Sequence, residues 1–334
     1  QAPGETAQSS VAETSAAQKA SETSAAQGTS GTATAQNGTS QAVSQTPGTS
    51  HTVTAGSGTT ADRPSVLPAA GQTPVAGLDA IINLGPATQQ TVSAADIKQP
   101  EVAAEGAVLL NAATGEVLYG KNQDQQFYPA SITKVMRALV VLEHCNLNDT
   151  VTFSKTATTN LESGAVALGV SEGDQLTVEQ SLYGLLLKSA NEIGNGLAEH
   201  VSGSVSAFAD LMNTKAKELG CKNTHFANPH GLNNENHKTT PYDMALILRA
   251  AVANDTFRRI DTTTSYEFPA IKNAGARTIT MGHKMMYKTD SRYYEGIIGG
   301  KTGYTSKAGN TLVTAVERDG VRLIAVVMKA KGTH

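Results

Sequence analysis

The chain has 334 residues, and its 26 Lys and Arg against 29 Asp and Glu leave a formal charge of -3 with no basic block. That balance gives no site for a polyanion, so no nucleic-acid partner is expected. No apolar run approaches the roughly 18 residues that span a bilayer, and the N-terminus lacks the basic and apolar regions of a signal peptide, so any export signal is expected to have been removed already.

In chain order, residues 1–64 are almost wholly Ser, Thr, Ala, Gln and Gly, with no large apolar residue beyond isolated valines. Such a segment cannot bury enough apolar surface to offset the entropy of ordering, and it reads as a disordered linker. Residues 65–100 form a mixed, poorly ordered connector with one weak apolar run at Leu78 to Leu84. Residues 101–334 are long enough for one sizeable core. There, "GAVLLNAATGEVLYGKN" alternates apolar and polar on either side of Ala112 to Gly115, predicting a β-hairpin from Ala107 to Gly120.

A helix follows from near Ser131, with Val135, Met136, Leu139, Val140 and Leu142 at helical spacing. "TVEQSLYGLLL" predicts a helix over Val178 to Leu187, capped by Thr177 with Gln180 as its capping-box partner. The helical pattern resumes in "NEIGNGLAEHV", leaving Lys188 to Asn191 as a break. "SVSAFADLMNTKAKELG" is a further helix, capped by Ser204 and stopped at Gly220. "TPYDMALILRAAV" is another, with Thr240 as cap, Pro241 at the first helical position and Asp243 in the first turn.

Toward the C-terminus the period changes. "NTLVTAVER" and "VRLIAVVMKA" are β-rich runs joined by the two-residue turn signal Asp319-Gly320, and "GIIGGKTG" precedes them as a glycine-rich strand. Strands at both ends with helices between imply an α+β fold: an antiparallel sheet whose first and last strands meet, with flanking helices and a helical cluster beside it. A functional site is expected where sheet and helices meet. The two cysteines, Cys145 and Cys221, are open to pairing in an oxidising compartment or to remaining free thiols.

Three short motifs carry chemistry. Ser131 and Lys134 stand three residues apart, on one face of the predicted helix. Alone, the first is a helix cap and the second a solvated side chain. A serine becomes a nucleophile only when a base takes its proton, and a lysine with a lowered pKa is such a base. The N-H groups at the helix start are available to an oxyanion. Ser189-Ala190-Asn191 lies at the break between two helices, which alone is only a turn. Lys301-Thr302-Gly303 lies on the glycine-rich strand, where absent side chains let a substrate backbone approach the strand edge.

In this order, S-x-x-K, S-x-N and K-T-G are the motif set of penicillin-binding proteins and class A β-lactamases. The chain resembles the D-alanyl-D-alanine carboxypeptidases, the low-molecular-mass penicillin-binding proteins, through "AVLLNAATGEVLYGKN", "YPASITKVM", "LLKSANE", "FANPHGL" and "GGKTGYTSKAGNTLV". The resemblance covers roughly Val102 to His334 and implies a β-lactamase/transpeptidase-like fold. It also implies that Ser131 is acylated, that Lys134 activates it and that Ser189 relays a proton to the leaving amine. Asn191 would bind the substrate amide, and Lys301 and Thr302, followed by Gly303, its terminal carboxylate. The N-H groups of Ser131 and Tyr304 would form the oxyanion hole. The implied substrate is a peptidoglycan stem peptide ending in D-Ala-D-Ala, cleaved outside the cytoplasm without metal or other cofactor, and β-lactams would acylate the same serine.

The family more often carries glycine at position 190 and Asp at 192, where this chain has Ala190 and Glu192. Relatives continue past the last core strand with a helix, and frequently a β-rich domain and a membrane anchor. This sequence stops at "VVMKAKGTH", so an exposed apolar sheet face is expected, and membrane contact only through C-terminal parts not included here. A β-lactamase would need an E-x-x-L-N stretch, which is absent; a non-catalytic penicillin-recognising module would not need the triplets intact. A zinc peptidase built on His225, His230 and His237 would need H-E-x-x-H or H-x-x-E-H spacing, which they lack. Arg137, Lys188, Tyr293 and Tyr294 read as surface or rim side chains.

Overall fold

Alternating burial along AEGAVLLN makes β1, Ala104–Asn111, a strand with one face in the core, and it turns through Gly115 into β2, Val117–Lys121. A computed structural model describes residues 99–159, 161 and 165–332. The expected linker over 1–64 and all but the last two residues of the 65–100 connector lie outside the described residues.

A 3-10 turn, Ala130–Ile132, leads into α1, Thr133–His144. Next come β3, Thr150–Thr152, α2, Lys155–Thr159, and β4, Gln175–Thr177, which pairs with β3. The helix α3, Val178–Lys188, starts at the expected capping box, in which Gln180 N donates to Thr177 Oγ1 at 3.1 Å and Thr177 N to Gln180 Oε1 at 2.8 Å. Then follow α4, Asn191–Ser202; α5, Val205–Glu218, capped by Ser204; and α6, Pro241–Ala251, capped by Thr240 with proline at its start. The break between α3 and α4 is shorter than expected, because Lys188 completes α3 and only Ser189 and Ala190 lie between the helices.

Sequence patterning did not give α7, Asp255–Asp261, or the small sheet of β5, Ser265–Phe268, with β6, Arg277–Thr280. These elements are too short for either period to register. The chain ends in β7, Ile297–Thr305, β8, Gly309–Arg318, and β9, Val321–Ala330, with Asp319 and Gly320 both at positive φ in the turn between the last two. The main sheet is antiparallel in the order β2-β1-β9-β8-β7, so the first and last strands do meet.

Nine consecutive residues of α1, Thr133 to Val141, are buried. A helix covered on all sides sits at the centre of a fold, and α1 packs on α3, α4, α5 and α6. Arg137, expected at the surface, is therefore fully buried, because the polar face of α1 is covered as completely as its apolar one. On the far side of the sheet, half-buried Leu109, Leu312, Val316 and Leu323 line an apolar groove with Met285 and Tyr294. The thiols of Cys145 and Cys221 are free, and Cys221 Sγ lies 3.6 Å from the carbonyl oxygen of Asp243.

Candidate active site

The turn that carries Ser131 is gripped from two sides by glycines. Ala130, just before it, has φ 52, a left-handed conformation costly for a residue with a Cβ. Gly231, at φ 87, packs so closely that a Cβ there would lie 2.0 Å from Ala130 O. On the other side, a Cβ on Gly303 of β7 would lie 2.8 Å from Ser131 N and 2.5 Å from Thr311 Oγ1. Thr311 Oγ1 in turn donates to Pro129 O at 2.9 Å, so β8 holds the entry to the same turn.

Lys134 sits one turn into the helical segment, completely buried. Its Nζ lies 3.0 Å from Ser131 Oγ, 3.0 Å from Asn191 Oδ1 and 2.8 Å from His230 O. Burial above all, then the neighbouring charges of Arg137 and Lys301, hold its pKa well below the ordinary lysine value, with Glu192 acting in the opposite sense. Two of its three partners are carbonyl oxygens, which can only accept. A neutral amine offering its two N-H groups to them has its lone pair left for the serine hydroxyl.

Asn191 opens α4, and its amide orientation is fixed by its neighbours. Oδ1 accepts from Lys134, while Nδ2 donates to Val166 O at 3.0 Å, leaving one N-H without a partner among the described residues. Glu192, beside it, ties down the same loop by accepting from the backbone N-H groups of Leu168 and Gly169. Burial raises the Glu192 pKa, and those backbone donors oppose the rise. Ser189 occupies the left-handed region at φ 62, and its buried hydroxyl has no hydrogen-bond partner among the described residues.

Lys301 of β7 is buried, its Nζ donates to Thr302 O at 2.9 Å, and burial lowers its pKa to about 8. The structure thus brings Ser131, Lys134 and Asn191 into direct contact and sets Gly303 against the serine. Thr302 is half-buried next to Gly303, and Tyr304 is exposed.

Several contributors carry no sequence signal. The carbonyl of His230 is presented by a loop in which Asn228 Oδ1 accepts from Gly231 N at 2.8 Å. Asp261, at the end of α7, accepts from Gly300 N at 2.6 Å and so positions the strand just before Lys301; burial raises its pKa to about 7. Arg137 lies on α1 close against Gly194, and none of its guanidinium nitrogens has a hydrogen-bond partner among the described residues. The "FANPHGL" stretch marked the loop of His230 but not the role of its carbonyl.

The three histidines of the loop serve it separately. His237 Nδ1 accepts from Ala227 N at 3.1 Å, which leaves Nε2 to donate to Thr133 Oγ1 at 2.9 Å. His225 Nδ1 lies 2.7 Å from Asn236 O, and His230 Nδ1 accepts from Leu232 N at 3.3 Å.

A family model described as D-alanyl-D-alanine carboxypeptidase matches residues 91–332. The chain is 34% identical over 232 residues to the D-alanyl-D-alanine carboxypeptidase DacF of Bacillus subtilis, an alignment covering 68% of this chain and 57% of that protein. It is 37% identical over 237 residues to DacB2 of Mycobacterium tuberculosis, covering 70% of this chain and 78% of the relative. Among solved structures, the Streptomyces K15 DD-transpeptidase is similar at a TM-score of 0.65 and 32% identity, covering 71% of this chain and 93% of that one. The chain therefore spans little more than half the length of the Bacillus relative. A match over most of its length, carried on the same sheet and helices, shows that this chain belongs to the D-alanyl-D-alanine carboxypeptidase family.

Proposed function

We propose that the chain is a serine-type D-alanyl-D-alanine carboxypeptidase acting outside the cytoplasm on peptidoglycan stem peptides that end in D-Ala-D-Ala. The observation that carries this reading is the Lys134 amine, buried and held 3.0 Å from Ser131 Oγ by two carbonyl acceptors. Ser131 attacks the carbonyl of the penultimate D-alanine while Lys134 takes its proton. The oxyanion is held by the N-H groups of Ser131 and Tyr304. The partnerless hydroxyl of Ser189 passes a proton to the leaving D-alanine amine, and the free N-H of Asn191 binds the peptide carbonyl. Lys301, with Thr302, meets the terminal carboxylate as a cation. Water then hydrolyses the ester. β-Lactams, which share the acyl-D-Ala-D-Ala shape, acylate the same oxygen.

The direct test is release of free D-alanine from a diacyl-L-Lys-D-Ala-D-Ala peptide. Release of one equivalent per peptide is the expected result. A folded protein that neither frees D-alanine nor gains the mass of an acyl group would end the proposal.

Arg137 supplies a second check, because its charge lowers the Lys134 pKa. A base works only when deprotonated, so acylation rises with pH through the Lys134 pKa. Arg137→Met removes a lowering influence, and the acid limb of the penicillin acylation rate is expected to move to higher pH. Removing a buried cation without a partner should also raise the melting temperature. An acid limb that stays in place would show that Arg137 has no such influence.

A further inference from the structure

At the opposite ends of the two helices that start at the cleft lies another cluster of side chains. Cys145 caps α1, Asp149 ends the turn leading into β3, and His200 sits in the last turn of α4. A thiol sulfur, a carboxylate oxygen and an imidazole nitrogen from these three lie within 4.8 Å of one another. We propose that they form a binding site for a zinc-class divalent cation that clips the far ends of α1 and α4 together. The 11 residues from Lys134 to Cys145 span roughly 16 Å of helix, so the site is separate from the cleft.

The donor set is the one such a cation takes: thiolate, imidazole and carboxylate, with a water completing a tetrahedron. Bonds of about 2.0–2.3 Å place tetrahedral ligands roughly 3.5 Å apart, and the exposed His200 side chain has room to turn toward the other two. The frame behind the ligands is fixed. Cys145 N donates to Val141 O at 3.0 Å, and Asp149 N to Asn146 O at 3.1 Å. Val178 N and Glu179 N, at the start of α3, donate to Asp149 O and Leu147 O at 2.9 and 3.0 Å. Asp149 Oδ2 accepts from Asn146 N at 2.8 Å, which orients the carboxylate and leaves Oδ1 for the cation.

On binding, the metal-sulfur bond forms, the thiol proton leaves to solvent, and no electron is transferred.

Cobalt(II) reports the site without reference to activity. Titrating the metal-free chain with Co²⁺ is expected to give a thiolate-to-cobalt charge-transfer band that saturates at one equivalent and is displaced by Zn²⁺. The band should vanish in Cys145→Ser, weaken in His200→Ala and persist in Cys221→Ser, and Zn²⁺ should raise the melting temperature of the unaltered chain. Absence of the band, its survival in Cys145→Ser, or a melting temperature indifferent to Zn²⁺ overturns the proposal. Should Cys145→Ser fail to fold, judged by penicillin labelling, His200→Ala decides alone, because its side chain is exposed.

Discussion

Replacing Ser131 with alanine is expected to abolish covalent labelling by a fluorescent penicillin, and replacing Lys134 with arginine to slow it by about 10²- to 10⁴-fold. The two losses have different causes. The first removes the hydroxyl oxygen proposed to form the ester. The second puts on the helix a guanidinium that stays protonated at any working pH, so it cannot accept the serine proton. Arginine also cannot reproduce the compact contacts of 2.8–3.0 Å that the amine makes with His230 O, Asn191 Oδ1 and Ser131 Oγ. Labelling is read on a denaturing gel, with rates from the early time points and folding checked by circular dichroism. A label retained by Ser131→Ala would place the nucleophile elsewhere, and wild-type rates in Lys134→Arg would remove the lysine from the role of base.

A single methyl group at position 303 should do nearly as much damage. In Gly303→Ala the new carbon meets Ser131 N at 2.8 Å, Ile132 N at 3.1 Å and Thr311 Oγ1 at 2.5 Å. The first two are backbone atoms and cannot swing aside. The third is committed to Pro129 O, so moving it would loosen the entry to the turn that carries Ser131. The strand must therefore retreat from the serine, carrying Lys301 and Tyr304 with it. A misplacement of about 1 Å costs on the order of 10² in rate, and overpacking of this kind destabilises by about 1–3 kcal/mol. Acylation rate and urea midpoint, measured on the same preparation, test both halves. An alanine variant that acylates like the unaltered chain would mean that the close approach of β7 is not needed.

What the sequence made legible was local. The Thr177 capping box, the Thr240-Pro241 start of α6 and the Asp319-Gly320 turn are each written in a few adjacent residues, and each stands where the pattern put it. The meeting of first and last strands followed from their positions at either end of a helical middle. Arg137 was misread because periodicity reports which face of a helix is apolar but not whether the other face is also covered. The carbonyl of His230 was invisible because every residue type carries the same one. Ser189 and Asn191 were found as a motif, but the left-handed backbone at Ser189 that turns its hydroxyl inward had no residue-level signal. Cys145, Asp149 and His200 belong to different elements, and only packing brings them together.

The strand order has a consequence for the time course of folding. β9 lies between β1 and β8, with Ala107 opposite Val327. During synthesis the β1–β2 hairpin thus waits for a neighbour made far later in the chain. Until β9 arrives, β1 keeps an unpaired edge and the central sheet cannot close. Contacts so distant in sequence slow folding into the range of milliseconds to seconds and leave that edge open to wrong partners meanwhile. β9 is in effect a keystone, and the sheet stays open until that strand is made.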